Sequence, residues 1–271
     1  MRCDTRYPIL LVHGAGFRDR RSLNYWGRIP KALQAQGAVI FYGNQDAWGD
    51  VAYSAGVLQE SLAKVLAETG AEKVNILAHS KGGLEARYLI SSLGMADCVA
   101  SLTTIFTPHH GSKTMDLLCR LPRPLFRLAA FFVNPFFRLF GDKQPDFFNA
   151  TRHFTQARMK QFNAENPDMP QVFYQSYASA MKSPFSDILM CFPALLVWLI
   201  EGENDGLLTP KAATWTNFQG TLRGATHRGI SHADVVDARR MNFSRKSAED
   251  GVADIREVYL EIVAGLKARG L

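Results

Sequence analysis

Short apolar runs alternate with amphipathic segments through the first part of the chain. The runs are continuous and rich in β-branched residues, which predicts buried strands at Pro8–Val12, Ala38–Tyr42, Val74–Ala78 and Val99–Thr107. Helical spacing of apolar residues predicts helices between them, at Pro30–Gln36, at Ser54–Thr69 and from Leu84 onward. This alternation predicts a single α/β domain over residues 1–271, with a mostly parallel central sheet and helices on both faces.

The later part of the chain is less regular. Gln171–Tyr177 and the strongly apolar Leu195–Glu201 predict two further buried strands. Amphipathic spacing predicts helices at Thr151–Ala164 and Ala248–Arg269. Ser183–Phe192 is interpreted as a loop or a short helical piece.

The pattern breaks at Leu117–Phe148, which is dominated by Leu, Phe, Arg and Pro. One interpretation is a buried helical insertion whose phenylalanines belong to the core. The other is a mobile helical lid at about residues 113–150, apolar where it covers the site and basic at its rim, which opens at a lipid surface. Prolines and arginines interrupt the run, and no transmembrane helix is expected anywhere in the sequence.

Ser80 stands between a predicted strand and a predicted helix. Ala78 and Gly82 lie two positions to either side, so the string has the small-x-Ser-x-Gly form of a nucleophile elbow. Such a turn is sharp, leaves no room for large neighbours, and raises the serine Oγ above the sheet on a strained backbone. The string alone is common in loops, but its position between strand and helix favours a nucleophile.

A serine nucleophile needs a base and an acid, which in this architecture follow in the order Ser, acid, His. Asp205 follows the apolar run Leu195–Glu201, and His232 lies on a loop before the last predicted helix. These two are the predicted acid and base. Glu201 and Glu203 stay open as alternative acids, as does His227 as an alternative base.

Two backbone N–H groups are predicted to form the oxyanion hole. One belongs to Lys81, the residue after the nucleophile, and the other to Ala15 in the glycine-rich turn after the first strand. His79 and His109 are predicted to orient the loops around the site rather than to react.

Composition narrows the function further. The net charge of +6 and pI near 9.2 are basic, but long Lys/Arg blocks are absent from the sequence, so no nucleic-acid partner is expected. The cysteines are scattered without a CxxC pair, at Cys3, Cys98, Cys119 and Cys191. The N-terminus runs directly into a predicted core strand, so a cytoplasmic location is expected.

Five strings resemble the bacterial true lipases of the α/β-hydrolase fold, the triacylglycerol lipases of Pseudomonas and Burkholderia type. They are ILLVHGAGF, KVNILAHSKGGLEARY, SLTTIFTPHHGS, GENDGLL and SHADVV. The resemblance implies a serine esterase or lipase acting on acyl esters, with no cofactor required. It puts Ser80, Asp205 and His232 at the triad positions and Ala15 and Lys81 at the oxyanion positions.

The sequence departs from this family in several places. The elbow has Ala78 where most relatives have Gly. The family often holds a calcium ion beside the His loop, for which Asp234 matches one ligand and Asp187 is an offset candidate. Ala238 stands where an amide ligand is expected and cannot coordinate. The disulfide of secreted members has no clear partner pair either, which is typical of an intracellular relative.

The leading hypothesis is therefore ester hydrolysis through an acyl-Ser80 intermediate, on a lipid or acylglycerol substrate. An acyltransferase or an intracellular polyester (polyhydroxyalkanoate) hydrolase would use the same triad. A hydrolase-fold protein that only binds lipid or protein is the non-enzymatic alternative. The sequence makes no prediction of the oligomeric state.

Overall fold

A parallel sheet of six strands forms the centre of the molecule, in the order β2-β1-β3-β4-β5-β6. The computed structural model describes residues 2–16, 18–19, 24–225, 228–243 and 251–271. Every strand pairing is parallel, as predicted. The strands are β1 Ile9–Val12, β2 Ile40–Tyr42, β3 Val74–His79, β4 Val99–Ile105, β5 Phe173–Ala180 and β6 Phe218–Arg223.

Helices connect the strands and cover both faces of the sheet. They are α1 Ile29–Ala35, α2 Val51–Thr69, α3 Lys81–Ile90, α4 Lys113–Leu118, α5 Arg123–Leu139, α6 Phe147–His153, α7 Gln156–Glu165, α8 Cys191–Glu201, α9 Pro210–Ala213 and α10 Ile255–Ala268. Short 3-10 helices lie at Ala96–Cys98, Pro184–Ser186 and Asp234–Val236. No helix in the described ranges is both long and apolar enough to cross a membrane.

The core consists of two apolar layers, one on each face of the sheet. Trp26 and Leu33 pack with Tyr259 of α10 on one face, and Leu58 and Leu89 pack on the other. β1, β3 and β4 are buried along their whole length, which explains why they are continuous apolar runs in the sequence. Burying each large apolar side chain contributes about 1.5–3 kcal/mol, so the sheet is a rigid base for the loops at its edge.

The predicted strand Leu195–Glu201 is wrong, because this run lies in α8. Only Ala194 and Val197 of α8 are buried, while Phe192 and Leu199 are largely exposed. An apolar run of this length fits a strand or a helix equally well, and only its packing decides. The sixth strand is β6, which the sequence analysis missed because it is partly exposed and contains Gly220.

The buried interpretation of the aromatic insertion is also wrong. Ala130 is the only buried residue of α5, and Phe131 and Phe132 are 70% and 67% exposed. The helices α4, α5 and α6 fall at about residues 113–153, close to the predicted insertion. Its action as a lid stays a prediction.

Two predicted helices have different bounds in the structure. Thr151–Ala164 is divided between α6 and α7, although Met159 and Phe162 are buried as predicted. The last helix begins at Ile255 rather than Ala248, because the Asp254 side chain caps it by accepting a hydrogen bond from the N–H of Arg256. Residues 244–250 lie outside the described part of the chain.

Candidate active site

Ser80 lies on a sharp turn between β3 and α3, as the elbow prediction requires. Its backbone has φ 52° and ψ −128°, a region that a residue with a side chain rarely adopts. The Ser80 N–H donates to the carbonyl of Ile105 at 3.0 Å, which fixes the turn to β4. The sequence folds this way because a Cβ on Gly82 would come 2.4 Å from the carbonyl oxygen of His13, so only glycine fits there.

Asp205 and His232 form a buried pair. The Nδ1 of His232 lies 2.5 Å from the Oδ2 of Asp205, whose side chain is completely buried. The other carboxylate oxygen accepts from the N–H groups of Leu207 and Leu208, at 2.9 and 3.0 Å. The N–H of His232 also donates to the Asp205 carbonyl at 2.8 Å. With Nδ1–H donating to Asp205, the Nε2 of His232 is left as the basic nitrogen.

The elbow and the His232 loop meet at the carboxyl edge of the sheet. The ring of His79, next to Ser80, lies 4.5 Å from the ring of His232 between centroids. Phe106 packs edge-on against the other side of His232, at 5.6 Å. Phe106 is completely buried and has a φ of 52°, so the end of β4 is also bent to hold the histidine.

The alternative acids are engaged elsewhere. Glu201 accepts hydrogen bonds from the hydroxyls of Ser112 and Thr114 at the start of α4. Glu203 forms an exposed ion pair with Arg223. The geometry therefore favours Asp205 over both glutamates. His227, the alternative base, lies outside the described residues.

The predicted oxyanion donors are both available. In the described part of the chain, the N–H groups of Ala15 and Lys81 have no hydrogen-bond acceptor. The Lys81 side chain is buried and points away from the solvent, pairing with Glu85 and donating to Ser54. Only the backbone of Lys81 is therefore left to serve a substrate. Gly14 lets the first loop approach the elbow, because a Cβ there would lie 2.7 Å from Ser80 Cβ.

Tyr25 is a contact residue that the sequence analysis missed. Its hydroxyl lies 2.7 Å from Nδ1 of His79. Burial raises the pKa of Tyr25, so its hydroxyl stays protonated beside His79. Burial also holds the pKa of His79 well below its usual range, with the nearby His232 and His13 adding to the effect. His79 is thus neutral beside the base, in agreement with its predicted orienting role. A lone tyrosine in a loop gives no signal for this contact.

His109 lies further from the pair. Its ring stacks on Trp215 at 5.0 Å, its Nε2 is 3.0 Å from Thr104 Oγ1, and its carbonyl accepts from Asn163. Burial, followed by the Arg87 charge, holds the pKa of His109 well below its usual range. It ties the loop after β4 to α7, which is a structural rather than a reactive role.

The calcium candidates Asp187 and Asp234 do lie together, but around an arginine. The Arg239 guanidinium bonds both carboxylates and also donates to the hydroxyl of Ser231. A calcium ion needs six or more oxygen ligands. The carboxylates of Asp187 and Asp234 are already bonded to Arg239. Within the described ranges, no group of three or more His, Cys, Asp or Glu side chains could hold a metal ion. The residues present do not fit calcium.

Cys3, Cys98, Cys119 and Cys191 are all free thiols.

Comparisons with known proteins place the chain in a family. The model of the α/β hydrolase fold family matches residues 7–215. Triacylglycerol lipase 2 of Saccharomyces cerevisiae is 29% identical over 265 residues, covering 92% of this chain and 74% of the yeast protein. A triacylglycerol lipase of Burkholderia plantarii is 36% identical over 176 residues, covering 60% of this chain and 49% of its own length. This chain therefore matches about half of that bacterial relative.

A solved structure gives the same fold. The Staphylococcus hyicus lipase superimposes with a TM-score of 0.70 at 15% identity, covering 98% of this chain and 97% of that one. The chain belongs to the α/β-hydrolase family. Its predicted resemblance to triacylglycerol lipases of the Pseudomonas and Burkholderia type is confirmed, and so is the predicted fold class.

Proposed function

We propose that the protein is a serine carboxylic-ester hydrolase of the lipase type, acting on acyl esters of lipids or acylglycerols. The observation that carries this proposal is the buried Asp205–His232 pair, which packs against His79, the residue before Ser80 on its strained turn. The names of the relatives support the class of enzyme, since they are triacylglycerol lipases. A Ser-His-Asp triad supplies the nucleophile, the base and the orienting acid that ester cleavage needs.

Acylation begins when Ser80 Oγ attacks the ester carbonyl carbon. The Nε2 of His232 takes the serine proton, and Asp205 stabilises the imidazolium through Nδ1. The carbonyl oxygen becomes negative in the tetrahedral intermediate and accepts from the N–H groups of Ala15 and Lys81. When the intermediate collapses, the C–O bond to the alcohol breaks, and the alcohol leaves with the proton from His232.

Deacylation repeats these steps with water. His232 takes a proton from the water molecule as it attacks the acyl-Ser80 carbonyl, and the same two N–H groups bind the oxyanion. Collapse breaks the bond to Ser80 Oγ, which regains its proton from His232. The products are the free acid and the enzyme in its starting state.

Replacement of the nucleophile tests the proposal. Ser80→Ala should lower kcat on p-nitrophenyl esters by about 10⁶-fold and abolish labelling by a fluorophosphonate probe. Ser91→Ala, at the other end of α3, is the matched control and should keep both. Full activity of Ser80→Ala would refute the triad. Failure of wild type to react with the probe would favour a binding protein.

Product analysis shows whether water or an alcohol accepts the acyl group. With a competing alcohol present, hydrolysis yields mainly free acid, whereas an acyltransferase yields the new ester. Clearing of a polyester suspension would indicate the polyhydroxyalkanoate alternative. The predicted cytoplasmic location would be tested by fractionation of the source cells.

We also propose that residues 113–150 act as a lid that contacts a lipid surface. α5 exposes Leu128, Phe131 and Phe132, while Arg127 and Arg138 are exposed on the same helix. Apolar side chains favour insertion among acyl chains, and arginines favour anionic headgroups. α8 packs against α4 and also exposes apolar side chains, at Phe192, Leu195, Trp198 and Leu199.

An ester series of rising acyl length, assayed below and above substrate solubility, tests the lid. A jump in rate above solubility is expected, and the double variant Phe131→Ser/Phe132→Ser should remove it while leaving the rate on soluble esters. Val39→Ser is the matched control, since Val39 is 55% exposed next to the start of the edge strand β2 and lies outside the insertion. Absence of the jump in wild type would indicate a plain esterase.

A further inference from the structure

Arg239 binds three residues from two separate segments. Its Nη2 contacts Asp187 Oδ2 and lies 3.1 Å from Asp234 Oδ2 and 3.2 Å from Ser231 Oγ, so these oxygens share its two N–H groups. Asp187 precedes α8, whereas Ser231 and Asp234 are on the loop before α10. We call these four residues the Arg239 clamp.

The clamp is mostly buried, so its charges depend on one another. The side chains of Asp187, Asp234 and Arg239 are 1%, 12% and 21% exposed. Removing carboxylates from water is costly unless a cation and hydrogen bonds replace the solvent. Asp187 Oδ1 accepts from the N–H of Leu189, and Asp234 Oδ2 accepts from the N–H of Ser231. Arg239 supplies the cation that these two carboxylates lack.

The position of the clamp connects it to the catalytic pair. Ser231 immediately precedes His232, and Asp234 follows two residues later. On the other side, Met190 is packed so closely against the Asp205 loop that a Cβ on Gly206 would lie 2.8 Å from its Cβ. The clamp thus joins the loop carrying the base to the segment packed against the acid.

A divalent cation would compete with Arg239 for the same oxygens. Two carboxylates and one hydroxyl supply too few ligands for calcium, and Ala238 adds none from its side chain. The planar guanidinium, in contrast, can bond several oxygens at fixed angles without a full coordination shell.

We propose that Arg239 is a positioning residue for His232, whose guanidinium holds the His232 loop against the Asp187 segment in the place of a divalent cation. The proposal rests on the proposed ester hydrolysis for its kinetic consequence. It predicts that the geometry of the catalytic pair is independent of calcium.

The experiment compares Arg239→Ala and Arg239→Lys with wild type, with and without calcium or EDTA. Wild type should have the same kcat and the same Tm in calcium and in EDTA. Arg239→Ala should lose about 10–100-fold in kcat on a soluble ester, with KM changed by less than about threefold, because the base is misplaced rather than the substrate lost. Arg239→Lys should recover only part of kcat, because the lysine side chain is one bond too short to put its nitrogen at the Nη2 position that contacts all three oxygens.

Hydrogen exchange adds a readout that does not depend on activity. The N–H of His232, bonded to the Asp205 carbonyl, should exchange faster in Arg239→Ala than in wild type. Arg223→Ala is the matched control, because it breaks an exposed ion pair with Glu203 and should change neither exchange nor kcat. If Arg239→Ala does not fold, Asp187→Asn loosens the same loop with a smaller change.

The outcomes separate this proposal from the proposed function. Loss of wild-type activity in EDTA with recovery in calcium would overturn the proposal, as would unchanged exchange and kcat in Arg239→Ala. If wild type cleaves no ester, the function fails, but faster His232 exchange in Arg239→Ala would still support the clamp.

Discussion

The hydroxyl of Tyr25 lies within hydrogen-bond distance of Nδ1 of His79, at 2.7 Å, next to the candidate nucleophile in sequence. It also lies against the first loop, because a Cβ on Gly14 would come 2.8 Å from the Tyr25 oxygen. Tyr25 thus connects the residue before Ser80 with the loop that carries the Ala15 N–H. One side chain therefore supports both the elbow and the oxyanion hole.

Tyr25→Phe should destabilise the protein by about 1–3 kcal/mol, because it leaves the buried Nδ1 of His79 without its hydrogen-bond partner. It should also lower kcat/KM, since both supported loops gain freedom. Chemical denaturation and ester kinetics measure the two effects. Tyr53→Phe is the control, as the Tyr53 hydroxyl has no hydrogen bond in the described part of the chain. Equal stability of the two variants would show that the Tyr25 contact contributes nothing.

Local sequence patterns predicted the strands that are buried on both faces of the sheet, because burial requires apolar residues along their whole length. β1, β3 and β4 are such elements, and Ser80 was predicted as the nucleophile because a strand and a helix flank it, as they do in the structure. Asp205 was predicted as the acid despite an error in its context, and it does pair with His232 in the structure. Asp205 follows helix α8 and not a strand, but the turn string Asn204-Asp205-Gly206 was informative in either case.

Long-range contacts explain what the sequence could not predict. The exposure of α8 depends on which neighbours cover it, and an apolar run alone does not contain that information. The Tyr25–His79 contact joins residues 54 positions apart, and the Asp187–Arg239 pair joins residues 52 apart. The carboxylates were visible as calcium candidates, but their actual partner was not.

Asp205→Asn should lower kcat by about 10⁴-fold while preserving the fold, because an amide favours the wrong tautomer of His232. Glu203→Gln is a matched control that removes the same charge two residues away. Glu203 pairs only with Arg223 on the surface, so its loss should leave kcat unchanged. Steady-state kinetics on a soluble ester measure both. A comparable loss in Glu203→Gln would make it the acid.

Gly82→Ala should cost at least about 2 kcal/mol in unfolding free energy, because its Cβ would lie 2.4 Å from one backbone oxygen and 2.7 Å from another. The oxygens belong to His13 and Val12, which are fixed in the sheet and its first loop. Gly56→Ala is the same substitution inside α2, with no atom within 4 Å of the new Cβ. It should stabilise by about 0.5–1 kcal/mol through helix propensity. Denaturation curves of both should move in opposite directions.

His109→Gln should reduce the loss of stability on acidification. The pKa of buried His109 is held well below its usual range, so the unfolded chain gains a proton below about pH 6.5 that the folded chain does not. Unfolding free energy therefore falls with decreasing pH, by up to about 1.4 kcal/mol per pH unit from this residue. Between pH 6.5 and pH 5, the variant should lose up to about 2 kcal/mol less than wild type.

His109→Gln removes both a hydrogen bond and a titrating group, so a second variant is needed to distinguish the two effects on stability. Thr104→Val removes the partner of His109 Nε2 but keeps the imidazole, so it should lower stability at every pH and retain the wild-type pH dependence. Denaturant unfolding at several pH values compares the three proteins. Parallel curves for His109→Gln and wild type would mean that His109 takes up its proton equally in the folded and unfolded states, contrary to its burial behind Trp215.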